Sequence, residues 1–199
     1  MTRRVITYHE AMTRWQPDAR SRLERAATEL FLEQGFAATT VPQIAERADL
    51  TTRTYFRHFV DKREVLFGVE NELPSVVAEV MANTPANLDP LDAMGHALTL
   101  VATTRLEGYR DHMRVRRSII QSDSGLRERD LNKGAVLTGA ARTAFLARGL
   151  SDLDATVAAH TSTLVFGTSV DRWLDDDSGR PLTVFLAETI ASVRAISER

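Results

Sequence analysis

The chain contains no cysteine, which excludes disulfide bridges, thiolate nucleophiles and cysteine-ligated zinc. The five histidines, His9, His58, His96, His112 and His160, stand at no metal-ligand spacing, and no glycine-rich phosphate loop interrupts the chain. No nucleophile is paired with a base in a recognisable arrangement. The acidic run Asp175-Asp176-Asp177 lacks the alternation of a calcium loop and reads as a surface loop. The expectation is a protein that is not an enzyme, with no cofactor and no metal. No apolar run approaches the roughly 20 residues of a membrane span, and Met1 to Trp15 has no apolar stretch of signal-peptide type. A cytoplasmic protein with no membrane partner is expected.

What is present is a helical pattern and a lopsided charge. With 199 residues and 43% hydrophobic content the chain can bury a sizeable core. The net charge is -2, but residues 1–63 hold 11 Lys and Arg against 8 Asp and Glu, and the remainder holds 14 against 19. Attraction for phosphate therefore concentrates at one end. Alternating strand patterns are nearly absent, so the fold class is all-α. Nine helices are expected: 18–34, 40–48, 51–59, 61–83, 90–108, 111–121, 124–149, 152–175 and 181–197. Gly35 and Gly149, each followed by an apolar residue, suit left-handed C-caps. Residues 1–16 read as a mobile arm, 17–63 as a three-helix head and 64–199 as a helical sensing and pairing body.

Within the head, two short helices joined by about three residues form a helix-turn-helix arrangement, whose second helix enters the major groove of double-stranded DNA. Thr40 and Gln43 have capping-box spacing at the start of the first and are counted among the DNA-contacting residues. Ala45 permits close helix approach, and Asp49 occupies the turn, where aspartate tolerates a left-handed conformation better than most residues. In the second helix Leu50, Thr54, Tyr55 and Phe59 face inward, leaving Thr52, Arg53, Phe56 and Arg57 outward. Arg53 or Arg57 can bond guanine bidentately, and Phe56 or Thr52 can touch a thymine methyl. Thr51 at the N-cap, with His58 and Lys62, is expected on the phosphate backbone.

Phe31-Gly35-Phe36, Thr39-Thr40-Val41, Ile44-Ala45, Ala48-Asp49-Leu50 and Thr54-Tyr55-Phe56-Arg57-His58-Phe59 with Lys62 resemble the signature of the TetR family of transcriptional regulators. The Arg-Thr-Tyr-Phe-Arg-His-Phe wording is similar to actinobacterial members. Two positions depart from the family pattern: Asp49 stands where glycine is usual, and Phe56 where a tyrosine contacts the DNA backbone. The resemblance implies a ligand-responsive regulator, commonly a repressor released from a palindromic operator by a small molecule, and a four-helix dimer interface. A helix-turn-helix protein that acts through protein partners without reading DNA is the rival.

The body carries no family-wide motif. Met94, His96, Leu98, Met113, Arg117 and Trp173 are the candidate lining of an effector pocket, since methionine and aromatic side chains adapt to apolar ligands and arginine pairs with acids. Arg114, Arg116 and Arg117 read as a solvated basic face. Helix 152–175 carries two apolar stripes, one through Val157, Thr161, Leu164 and Thr168, the other through Ser162, Phe166, Ser169 and Trp173. The second stripe, with Phe185, Thr189 and Val193 of the last helix, is assigned to a homodimer interface. The helix beginning at Asp61 is expected to run from the head into the pocket wall, so that ligand binding would rotate it and alter the spacing of two reading heads.

Overall fold

A computed structural model of the chain describes residues 18–67 and 73–198, and the expected arm 1–16 lies outside them. The chain divides into two compact units, Met1–Gly68 and Val69–Arg199. The described residues are helical and contain no strand.

In the first unit, α1 spans Ala19–Gln34 and is capped by Asp18, whose carboxylate accepts from the Ser21 amide at 2.8 Å. Its apolar residues Leu23, Ala26, Ala27, Leu30 and Phe31 recur at three- and four-residue steps and are buried, the stripe a core-facing helix needs. Gly35 ends it at φ 84 and ψ 158. The expected left-handed cap is thus corrected: the φ is positive, but the backbone is extended, a region that essentially only glycine enters. The anticipated apolar contact is present, with the Phe31 and Phe36 rings 5.2 Å apart. α2 spans Val41–Arg47, α3 Thr52–His58 and α4 Glu64–Phe67. Leu23, Ala27, Ile44, Tyr55, Phe59 and Phe67 fill the centre of this unit.

The second unit comprises α5 (Leu73–Asn83), α6 (Pro90–Val101), α7 (Arg110–Ser122), α8 (Ser124–Ala147), α9 (Asp152–Asp175) and α10 (Leu182–Ser197). The single helix expected over 61–83 is represented by α4 and α5, with 68–72 outside the described residues. α6 starts as expected, Asp89 accepting from the Leu91 and Asp92 amides at 2.9 Å ahead of Pro90. It does not continue to Gly108 as an α-helix: a π turn, Ala102–Leu106, and a 3₁₀ turn, Glu107–Tyr109, intervene. The wider turn advances the side-chain phase by one residue, and Val101, Ala102 and Leu106 all meet the core across it. α8 ends in a Schellman motif at Gly149 (φ 90), with Gly149 N–H donating to Leu146 and Leu150 N–H to Phe145.

α8 and α9 pack along one another, α5 lies on α8, and α10 lies between α9 and α6. Their shared core holds Met94, Phe145, Val165, Trp173, Leu182 and Leu186. The arginine run of α7 is not a solvated face. Arg110 donates to the carbonyls of Trp173 and Asp176, and Arg114 to those of Leu174 and Asp176, each at 2.7 Å. Arg117 pairs with Asp171 and Asp175. The C-terminal carbonyls of α9, which have no partner within their own helix, are thereby satisfied by a cationic helix.

The stripe assigned to dimerisation belongs to this core. Ser169 donates toward Phe185 O and Thr189 Oγ1, and Ser162, Trp173, Phe185 and Thr189 are all buried within one chain. Phe166 and Val193 are partly buried beside them. Periodicity revealed two apolar stripes on α9 but could not say which one the chain's own helices cover. The outward stripe is the other, with Leu153, Val157 and Leu164 exposed at 71%, 57% and 59%. Phe185→Ala is therefore expected to destabilise the chain by about 3–5 kcal/mol. Urea unfolding at two protein concentrations checks this, a loss that grows on dilution pointing instead to a subunit interface.

Candidate nucleic-acid interface

The interface is built on the turn between α2 and α3. α2 begins with the full capping box: Gln43 Oε1 accepts from the Thr40 amide at 2.8 Å, and Thr40 Oγ1 accepts from the Gln43 amide at 3.5 Å. It ends in a second Schellman motif, Asp49 N–H donating to Glu46 at 2.9 Å and Leu50 N–H to Ala45 at 2.8 Å. The motif requires a left-handed residue, and Asp49 supplies it at φ 53. Arg22 of α1 reaches across to the carbonyls of Ala48 and Asp49, at 2.5 and 3.3 Å. A charged donor thus holds the turn against the first helix.

α3 is fixed from below. Thr51 caps it, its hydroxyl accepting from the Thr54 amide at 3.1 Å. Tyr55 is fully buried, its hydroxyl donates to Asp61 O at 3.1 Å, and burial pushes its pKa up. The Phe59 ring lies 5.3 Å from it. Asp61 in turn accepts from the Arg63 and Glu64 amides at 2.8 and 2.9 Å, starting α4. With that face anchored, Thr52, Arg53, Phe56 and Arg57 project outward together. Phe56 is 58% exposed and rests edge-on against Tyr55 at 5.6 Å.

Several arginines of the unit are paired with its acids. Arg47 forks onto Glu33 with bonds of 2.9 and 2.8 Å and also pairs with Glu29, which lowers the Glu33 pKa. Arg20 pairs with Glu24, and Arg22 lies 3.6 Å from the Asp49 carboxylate. Arg53 and Arg57 have no hydrogen-bond or ion-pair partner among the described residues. Arg53 and Arg57 of α3, like Arg25 and Arg63 elsewhere in the unit, are exposed and stand outside these pairs.

Two residues expected on the phosphate backbone sit differently. Lys62 Nζ donates to the carbonyls of Phe36 and Thr39, both at 2.7 Å, and lies 4.1 Å from the Phe36 ring centre. The expected phosphate contact is corrected to an internal one: the ammonium ties α4 to the loop between α1 and α2. His58 is half-buried, and its Nε2 has no hydrogen-bond partner among the described residues. Thr40, Gln43 and Thr51 are exposed, but their side chains already serve caps.

In the second unit a small cleft, with a cavity volume of about 60 Å³, opens between α5, α6, α8 and α9. Val77, Met81, Met94, Leu98, Phe145 and Phe166 line it, with the hydroxyls of Ser162 and Thr163. Of the expected lining only Met94 and Leu98 are there. His96 is exposed, and Met113 packs against the core outside the cleft. Arg117 is held by Asp171 and Asp175, and Trp173 is buried beneath the Arg110 guanidinium at 5.4 Å. The missed wall is α5, whose Val76, Val77, Val80 and Met81 were a legible apolar signal.

Two stability predictions follow from these contacts. Lys62→Met is expected to destabilise the first unit by about 1–3 kcal/mol, since it leaves carbonyls without their charged donor. Thermal unfolding without DNA checks it, and an unchanged transition would return Lys62 to the phosphate backbone. Asp49→Gly is expected to hold or raise stability, by up to about 1 kcal/mol, because glycine takes positive φ without a Cβ penalty. A lowered melting temperature for Asp49→Gly would show that its carboxylate matters more than its backbone.

The family model for bacterial regulatory proteins of the tetR family matches residues 24–69. The chain is 36% identical over 141 residues to the HTH-type transcriptional regulator TcmR of Streptomyces glaucescens, covering 68% of this chain and 62% of that one. It thus spans under two thirds of that relative's length. Among solved structures it is similar to NalD of Pseudomonas aeruginosa, the secondary repressor of the MexAB-OprM efflux pump (TM-score 0.57, 20% identity, 89% and 95% of the two chains). It is also similar to Thermus thermophilus FadR, a TetR-family transcriptional repressor in complex with lauroyl-CoA (TM-score 0.51, 21% identity, 86% and 91%). With the family model seated on the helix-turn-helix and its paired caps, the chain belongs to the TetR family of bacterial regulatory proteins.

Proposed function

We propose that this protein is a sequence-specific DNA-binding regulator of transcription, a repressor released from a palindromic operator by a small molecule. The observation that carries it is the exposed face of α3, where Arg53 and Arg57 stand unpaired among the described residues on either side of Phe56. A helix held by a buried tyrosine and a clamped turn presents these groups without reorganisation, the condition for reading base edges. Phe56 in the usual tyrosine position offers apolar contact where a phenolic hydroxyl would bond phosphate. Ligand release is supported by the cleft in the second unit and by the lauroyl-CoA complex of a relative in fold. A ligand acts on DNA affinity only through different affinities for two states of the protein.

The reading includes a homodimer, because two recognition helices about 34–36 Å apart match successive major grooves on one side of the duplex. The surface that suits it is the outward stripe of α9, Leu153, Val157 and Leu164, beside the exposed small residues Ala187, Ala191 and Ala195 of α10. Small residues on one helix and branched ones on the other allow close antiparallel packing. A cytoplasmic location and the absence of catalysis belong to the same proposal. The rival, a binding module that works through proteins alone, leaves the unpaired arginines without a partner.

Selection of duplexes from a random pool is expected to return a palindrome. Arg53→Ala is expected to cost about 1–3 kcal/mol and relax preference at one base position per half-site. Equal loss on every sequence would move Arg53 to the phosphate backbone, and no selected sequence at all would favour the protein-partner rival. Leu164→Arg is expected to yield monomers by sedimentation and to abolish tight operator binding, whereas an intact dimer would exclude this face.

A further inference from the structure

Among the described residues, the wall of the second-unit cleft contains no ionisable side chain. α5 contributes Val77, Val80 and Met81, α6 contributes Met94 and Leu98, and Phe145 and Phe166 close it from α8 and α9. Its polar atoms are two hydroxyls, and both have donated their protons. Ser162 Oγ donates to Ala158 O at 2.7 Å. Thr163 Oγ1 lies 3.1 Å from Ala159 O and 2.8 Å from Thr138 Oγ1. What remains for an occupant is acceptor capacity at one end of an apolar chamber.

We infer that the cleft selects neutral, largely apolar molecules carrying at most a single donor, such as an alcohol or a phenol, and rejects acids and amines of the same size. This rests on the proposed reading of the protein as a ligand-responsive regulator and adds the chemical class of its effector. A carboxylate entering the cleft would lose its water and meet neither a cation nor an available proton, a cost that burial of the alkyl chain does not recover. An ammonium would meet no carboxylate among the described residues of the wall. The nearest expected anion-binding group, Arg117, is held by Asp171 and Asp175 and is absent from the wall. A hydroxyl at the end of the chain can instead donate to Ser162 or Thr163 while methionine and phenylalanine side chains adapt around the hydrocarbon.

The test uses the full chain without DNA and three probes of one length: decanol, decanoate and decylammonium, each below its aggregation threshold. Calorimetric titration is expected to show saturable decanol binding, with the two charged probes at least about tenfold weaker. Leu98→Trp, which fills the chamber at a partly buried position, is expected to weaken decanol at least about tenfold. Val77→Asp is expected to reverse the preference, admitting decylammonium ahead of decanol. Decanoate or decylammonium binding as tightly as decanol overturns the inference, as does the absence of decanol binding or decanol affinity untouched by both substitutions. If neither variant folds, the ranking of the three probes on the unmodified protein decides. Release of the selected duplex is measured separately: decanol that binds in the cleft without releasing DNA counts against the regulator reading and leaves the cleft's selectivity standing.

Discussion

The approach of α2 to α3 hangs on a turn only three residues long, Ala48 to Leu50, and on the arginine that clamps it. Two backbone bonds close the turn, and its carbonyls at Ala48 and Asp49 take a donor from outside it. Arg22 supplies it from α1, so the first helix of the unit fixes the angle at which the recognition helix leaves the second. Tyr55 and Phe59 then pack below, and Lys62 ties the following segment to the loop after α1. Every outward position of α3 follows from that chain of contacts. Arg53, Phe56 and Arg57 share a face by helical period, and the buried Tyr55 and Phe59 opposite turn that face outward.

Local chemistry made much of this legible in the residues. Thr40 with Gln43, Asp61 before Glu64 and Asp89 before Pro90 are short-range patterns whose partners lie within three positions, and each forms the cap its spacing implies. The inward and outward residues of α3 were likewise set by helical period. Lys62 was misplaced because its acceptors are carbonyls 23 and 26 residues earlier, and main-chain oxygens leave no trace in a side-chain pattern. Gly35 was recognised as special, but the sign of φ is all that a glycine announces, and its ψ came from the path of the loop.

The second unit was less legible for a related reason. α9 is apolar on two sides, and period alone is symmetric between them; the choice was made by the chain's own helices, with α10 bonding Ser169, Arg110 of α7 lying over Trp173 and Ser162 lining the cleft. The same ambiguity placed Trp173 in a pocket and in an interface at once, when it belongs to neither. Arg114 and Arg117 looked solvated because their partners, the end of α9 and its acidic loop, lie more than 50 residues away. The acidic run and the basic run are two halves of one lattice.

The ion-free wall of the cleft has a consequence for signalling. On the proposed reading, a chamber whose described wall has no titratable group holds a neutral compound equally across pH, whereas the arginine face of α3 binds DNA through counterions and weakens as salt rises. The two halves of the molecule therefore respond to different variables. On that reading ionic conditions set how firmly DNA is held, and occupancy of the cleft reports the concentration of a neutral compound, unconfounded by acidity.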